Sequence, residues 1–423
     1  MIYDLIVIGG GPTGMMAAGR AAENGAHVLL LEKNDRLGVK LVITGKGRCN
    51  ITNAEFDTKN LVELFGKPGR FLFSALNKFG NKDIINFFES RGLATKVERG
   101  NRVFPVSDSS LDVLDILKNY LAEHKVEIKY NTNIKNIITK NNEITKIILV
   151  DKSKVNGEAR EGGLGRELQA KKYIIATGGK SYPMTGSSGD AYQWLAKMGH
   201  TIVEPIASLT PILIKEKLIK ELEGLSLKNV AINIYQANKK IDSRFGEALF
   251  TSNGMSGPII LDMSKNIGLA LKNGDVKLVI DYKPKLDFKT LDKRVQNDFA
   301  KSNNKLFRNS LGDLLPRKLI PLIIKLSAID PDQKANAITK EDRKKLLHLL
   351  KNFELNVKSL YGFNKAIVTA GGVSLKEVDP KTMQSKLIKN LYLVGEILDL
   401  DGPTGGYNLQ SCWSTAYTAG DNI

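Results

Sequence analysis

The residues with the clearest chemical use stand at the start of the chain. "VIGGGPTG" holds Gly9, Gly11 and Gly14 in the spacing G-x-G-x-x-G, and Glu32 follows 18 residues after Gly14. Such glycines serve a tight turn, a close backbone approach to a pyrophosphate and a close helix-to-strand contact, while the carboxylate accepts hydrogen bonds from ribose hydroxyls. Pro12 and Thr13 then open a helix whose unpaired N–H groups and dipole hold phosphate. A second stretch, "TGKGRCNITN" from Thr44 to Asn53, puts two cations beside Cys49, one of only two cysteines. It is not a Walker loop, because no glycine lies five residues before Gly45 and Lys46 is followed by Gly47 rather than by a hydroxyl residue.

The elements that must position these residues are legible around them. "YDLIVIG" and "AHVLLLE" are short apolar runs fit for strands buried on both faces, and "PTGMMAAGRAAENG" between them has helical composition, so the first thirty residues form a βαβ unit with parallel strands. Residues 57–125 read as mostly helical, with an extended stretch at "LATKVERGNRVFPV". The region from "VEIKY" to "IILVD" reads as a β-meander, the glycine-rich piece Lys154 to Arg166 as a mobile loop tip, and "KKYIIATGGK" as another buried strand. Residues 201–282 carry β-type runs, residues 285–350 turn helical, and the last sixty return to α/β texture. The order suggests a discontinuous first domain, 1–195 with 363–423, interrupted by a β-rich subdomain, 196–284 with 351–362, which carries a helical insert, 285–350.

Composition narrows the function classes. With 423 residues, 42% hydrophobic and 25% charged, the chain reads as globular, and it has no apolar run long enough to span a bilayer. Its start lacks the basic segment and cleavage site of a signal peptide, so a cytoplasmic protein without membrane association is expected. Two cysteines, Cys49 and Cys412, cannot form a disulfide framework or a four-ligand zinc site, so no metal is expected. The formal charge is +17. The 285–350 segment alone holds 15 Lys/Arg against 8 Asp/Glu. That makes RNA a rival partner to a small organic substrate.

Six stretches in order, "GKGRCNITN", "NRVFPVSD", "ATGGKSYPMTGSSGDAY", "FTSNGMSGPIIL", "AIVTAGGV" and "LVGEILDLDGPTGGYNLQ", resemble the YhiN/BaiN-type family of bacterial flavoproteins, described as NAD(P)/FAD-dependent or aminoacetone-oxidase-like oxidoreductases. The resemblance implies a glutathione-reductase-type FAD-binding Rossmann domain interrupted by a β-barrel-like subdomain with a small helical insert. FAD is the expected cofactor, with NAD(P)H as a transient electron donor, since the chain has one dinucleotide fingerprint only. Beside Gly9, Gly11, Pro12, Thr13, Gly14 and Glu32, the resemblance places Lys33, Lys40, Arg48, Cys49, Asn50, Ile134, Thr177, Gly178, Gly395, Glu396, Gly406, Tyr407, Asn408 and Leu409 at the cofactor. Arg102 and Tyr182 are its candidates for the catalytic side. The chain departs from the family at Lys46, where glycine is usual, and at Ser252, where histidine is usual, so no general acid is expected from the latter loop. An FAD-dependent reductase or dehydrogenase is the first expectation, an RNA-directed flavoprotein the second, and a flavin-binding scaffold without turnover the third.

Overall fold

The computed structural model describes residues 2–150, 166–302 and 304–423. Of the loop expected at Lys154 to Arg166, all but Arg166 lies outside the described residues. Cα packing separates two units, Met1–Ile206 with Ile367–Ile423, and Ala207–Ala366.

The first unit is built on a parallel sheet. Its strands are β1 (Tyr3–Ile8), β2 (Val28–Leu31), β3 (Glu127–Lys129), β4 (Ala170–Ile175) and β5 (Leu391–Leu393), in the spatial order β5-β4-β1-β2-β3. Residues Leu5 to Val7 and Leu29 to Leu30 are wholly buried, as their unbroken apolar runs require of strands covered on both faces. Helix α1 (Pro12–Glu23) crosses from β1 to β2. It packs so closely that a Cβ on Gly19 would lie 2.3 Å from the Tyr120 ring. The final helix, α2 (Tyr407–Gly420), lies against α1, where a Cβ on Gly420 would meet Ala17 O at 2.7 Å. The extended stretch expected near residue 100 forms strands Thr95–Glu98 and Arg102–Pro105, which pair with each other and, through the latter, with Thr52–Asn53.

One local expectation is corrected and one is refined. The run at residues 127–129 is not part of the meander: it is the sheet's edge strand β3, and the antiparallel hairpin is Ile134–Lys140 with Glu143–Leu149, turned at Asn141 and Asn142, both left-handed. Residues 201–282, read as dominated by β-type runs, also hold a 14-residue helix, Pro258–Leu271. Pro258 in its first turn and the apolar spacing after it are ordinary helix signals that the neighbouring strands mask.

In the second unit six strands close an antiparallel barrel in the order Ile212–Ile214, Gly254–Ser256, Lys239–Thr251, Ser226–Gln236, Lys277–Asp281 and Phe353–Leu360. Leu291, Val295, Phe299 and Leu346 from the helical segment share one apolar core with Ile232, Phe250 and Leu278 of the barrel. No helix among the described residues is long and apolar enough to cross a membrane.

The C-terminal end of α2 is fixed electrostatically. Asp421 accepts from Arg20 Nη2 at 2.5 Å and Asn24 Nδ2 at 3.4 Å, and pairs with Lys78 Nζ at 2.5 Å. Burial alone would raise the Asp421 pKa, but bonds from Lys78, Arg20 and Asn24 outweigh it and bring it down to about 2. A depressed carboxylate stabilises the fold above its unfolded pKa near 3.8 and loses that contribution as pH falls through 2. Asp421→Asn is therefore expected to cost about 1–2 kcal/mol at pH 7, after allowance for solvent screening. Denaturant titrations at pH 7 and pH 2.5 check this, and an equal cost at both values would refute it.

Candidate functional site

At the carboxyl ends of β1, β2, β4 and β5 a cavity of about 260 Å³ opens, the place where open parallel sheets bind ligands. The β1–α1 turn forms its centre. Gly9 is left-handed (φ 109°), and a Cβ there would lie 2.6 Å from Ala176 O; a Cβ on Gly14 would lie 1.8 Å from Gly9 O. Both glycines are forced by packing. Gly11 differs: nothing lies within 4 Å of the position of its Cβ, which stands over open space at the cavity wall. Helix α1 has no side-chain cap, so the N–H groups of its first turn are open to an anion.

On the β2 side stand Glu32, Lys33, Asn34, Thr132, Asn133, Ile134 and Trp194. Glu32 is 7% exposed, and its carboxylate accepts from Gly10 N at 2.7 Å and Asn34 N at 2.8 Å. These two bonds fix its orientation and leave lone pairs for two hydroxyls. Lys33 Nζ spans the cavity rim to Ser188 Oγ at 2.5 Å and Asp190 Oδ2 at 3.0 Å, and Asn34 Nδ2 donates to Thr185 O at 3.1 Å. These bonds tie the Thr185–Asp190 loop to the end of β2.

On the β4 and β5 side the wall is formed by Lys40, Thr177, Gly178, Glu396, Ile367, Val368 and the first turns of α2. Glu396 Oε1 accepts from Ser181 Oγ at 2.6 Å and Thr369 N at 2.9 Å, and Oε2 accepts from Lys40 Nζ at 2.8 Å. Lys40 also donates to Ser181 Oγ at 2.6 Å, which uses two of its three N–H bonds and leaves one for a ligand. Thr177 Oγ1 is buried without a partner at the same wall. Cys412 lines the wall too; burial, partly offset by a bond from Thr13, pushes its thiol up to about 11, so it is neutral at pH 7.

Of the residues named from sequence, Gly9, Gly11, Pro12, Thr13, Glu32, Lys33, Lys40, Ile134, Thr177, Gly178, Glu396, Asn408 and Leu409 line this cavity. The others do not, for separate reasons. Gly14 and Gly395 are packing glycines, the second held against Thr13 Oγ1. Tyr407 is half-buried and packs against the apolar core that holds Leu393 and Ile397. Arg48 spends its guanidinium on Glu98 and on Asp108 Oδ1 at 2.8 Å, stacks 4.1 Å over Phe104, and so does not compensate phosphate at the cavity. Asn50 and Gly406 bond each other: with its amide oriented to suit its neighbours, Asn50 accepts from Gly406 N at 2.9 Å and donates to Val103 O and Thr52 O. Arg102 is exposed and donates to Arg99 O at 3.0 Å, and Tyr182 is left-handed with its carbonyl accepting from Thr185; neither side chain is at the cavity wall.

Cys49 is also withdrawn from the site. It is wholly buried, and burial, only partly offset by a bond to Thr44, pushes its thiol up to about 12. The exposed Lys46 and the outward Arg48 therefore do not activate it. We expect no alkylation of Cys49 by iodoacetamide in the native protein at pH 8, read by mass spectrometry, and full alkylation after unfolding. Rapid native modification would show a reactive thiol instead.

Sequence reasoning missed Asn34, Trp194, Ile367 and the Ser181–Thr369 pair. The two residues lie in separate quoted stretches 188 residues apart, and only the fold brings them together. The Ser187–Asp190 rim lay inside a quoted stretch, and its glycine-rich run into a helix was the available signal. Among the described residues no group of His, Cys, Asp or Glu is arranged to hold a metal ion.

Comparison with known proteins adds three findings. The sequence signature described as HI0933-like protein Rossmann domain matches residues 3–422. Clostridium scindens 3-dehydro-bile acid delta(4,6)-reductase is 31% identical over 98% of this chain and 97% of its own length, and the ribosomal RNA dihydrouridine synthase of Haemophilus influenzae is 28% identical over 99% and 98%. Among solved structures, a flavocytochrome c3 fumarate reductase aligns at TM-score 0.52 with 16% identity, over 100% of this chain and 78% of that one. A 3-ketosteroid-delta4-(5alpha)-dehydrogenase from Rhodococcus jostii RHA1 aligns at 0.52 with 13% identity, over 99% and 96%. At such identities these two likenesses speak for the fold alone.

Proposed function

The chain belongs to the HI0933-like Rossmann family, and on that premise we propose that it is an FAD-dependent reductase acting on a carbon–carbon double bond conjugated to a carbonyl group. The observation that carries the cofactor is one cavity onto which two helix N-termini open, with the fixed carboxylate of Glu32 on one side and the Lys40–Glu396 pair on the other. The α1 turn would hold the pyrophosphate, Glu32 the adenosine ribose, and Thr177 Oγ1, Lys40 and the first turn of α2 the other half. Bound FAD supplies a two-electron carrier that takes hydride from NAD(P)H or another reduced donor and passes it on.

The bond type follows from what the two full-length relatives share. A 3-dehydro-Δ4,6 steroid and a uridine both present a C=C in conjugation with C=O. Hydride adds to the β-carbon, the electron pair of the double bond moves toward the carbonyl oxygen, and a proton completes the α-carbon. A cytoplasmic setting, with its NAD(P)H supply, suits this chemistry.

RNA is the second candidate substrate, favoured by charge. The Ala207–Ala366 unit holds 29 Lys/Arg against 17 Asp/Glu, or +12 of the chain's +17. Within "EDRKKLL", Arg343 is paired with Asp292 and Lys345 with Asp342, so Lys344 is the residue of the three to neutralise first.

The test is anaerobic reduction of the purified protein with NADH and NADPH, followed by a 3-oxo-4-ene steroid or a uridine-containing RNA. Reoxidation of flavin together with a two-hydrogen mass gain in one acceptor is the expected result. Absence of bound flavin, or a reduced flavin that no conjugated acceptor reoxidises, would exclude the proposal.

A further inference from the structure

The segment Asn50–Asn53 lies outside the cavity, yet each of its four residues spends a buried or half-buried hydrogen bond on residues 405–413. Asn50 accepts from Gly406 N, Ile51 O accepts from Trp413 Nε1 at 2.9 Å, Thr52 Oγ1 bonds Gln410 Oε1 at 2.6 Å, and Asn53 Nδ2 donates to Gly405 O at 3.0 Å. The receiving turn is unusual: Gly405 and Gly406 are both left-handed (φ 126° and 100°), and a Cβ on Gly406 would meet Thr52 O at 2.3 Å. Asn50 is held in turn by the carbonyls of Val103 and Thr52, so its amide is a rigid peg rather than a free surface group.

What the clamp holds is the start of α2, and α2 begins at the cavity. Asn408 and Leu409 line its wall, and as first-turn residues their N–H groups have no acceptor within the helix. Sheet order says which half of a dinucleotide meets them. The pyrophosphate turn follows the central strand β1 and the ribose carboxylate follows β2. The remaining half must therefore extend over β4 and β5, where α2 starts. With FAD as the ligand, which is the cofactor reading given above, that half is the flavin, and a helix N-terminus there favours the negative charge that flavin gains on reduction.

We propose that Asn50 and Asn53 are positioning residues for the flavin: by pinning the Gly405–Gly406 turn they aim the first turn of α2 at the ring system and so set how strongly the protein stabilises its reduced, anionic form.

The experiment uses the FAD-loaded full chain. Sulfite, whose addition to flavin places negative charge on the ring, is titrated by visible absorbance, and the two-electron potential is measured against a reference dye. Asn50→Ala and Asn53→Ala are expected to weaken sulfite binding at least tenfold and to lower the potential by about 30 mV, the equivalent of tenfold in a two-electron equilibrium. Asn77→Ala, which removes the exposed partner of Thr58, is the control and should change neither. Should Asn53→Ala, which truncates a wholly buried side chain, fail to accumulate, Asn50→Ala carries the same expectation at a half-buried position. Flavin held by both variants with sulfite affinity within twofold of the parent and a potential within about 9 mV of it overturns the assignment and leaves the cofactor reading standing. A parent protein that binds no flavin overturns both.

Discussion

Gly11→Ala is expected to leave the fold of the ligand-free protein intact and to weaken FAD by roughly 100-fold, about 2.7 kcal/mol. The Cβ of alanine at residue 11 meets no protein atom within 4 Å, and the backbone there (φ −76°) suits any residue. The new methyl instead occupies the space through which a pyrophosphate must approach the N–H groups of α1. Gly14→Ala should behave in the opposite way. Its Cβ would stand 1.8 Å from Gly9 O, and a backbone atom cannot yield as a flexible side chain does. We expect a loss of about 3 kcal/mol or more of stability, so that protein yield falls before ligand binding can be measured. Melting curves without ligand, set beside FAD titration of the refolded apoprotein, separate the two. Equal behaviour of the two variants would mean that the turn binds no pyrophosphate.

Lys40→Met is expected to have the next largest effect. The side chains of Lys40 and Glu396 are 20% and 15% exposed, so removal of the cation strands a largely desolvated carboxylate. Ser181 and Thr369 still donate to it, which moderates the cost to about 2 kcal/mol of stability. FAD retention should fall as well, since the one unspent N–H of Lys40 is lost from the cavity. Glu396→Gln leaves Lys40 short of an acceptor and should cost a similar amount. The double variant removes both charges together and is expected to be about 1–2 kcal/mol more stable than the sum of the single changes implies. Additivity within about 0.3 kcal/mol would show that the pair contributes nothing as a unit.

The Glu396 cluster marks the boundary between what a motif conveys and what it cannot. Spacing in "VIGGGPTG" and the acidic end of the next strand implied a cofactor turn, because the requirements are local: a left-handed glycine, a close approach, a carboxylate on the neighbouring strand. The same holds for β1, α1 and β2, whose apolar runs are dictated by burial on both faces. The "GRCN" stretch misled for the complementary reason. Cations next to a glycine-rich turn look like phosphate ligands in one dimension, but Arg48 has Glu98 and Asp108 to satisfy it, and both acids arrive from segments fifty or more residues away.

Residue types and their order thus determined the Rossmann unit and the interruption of the α/β texture by β-rich and helical segments, and they marked the glycine turn and the Glu32 carboxylate proposed for the cofactor. Tertiary structure alone decided that Cys49 is too buried to be a reactive thiol and that Glu396 is held by Lys40, Ser181 and Thr369. It alone assigned Asn50 and Asn53 to the Gly405–Gly406 turn rather than to the cavity. The reason is physical: backbone conformation and burial follow local pattern, whereas the partner that claims a charge or an amide is set by which distant segments the sheet brings together.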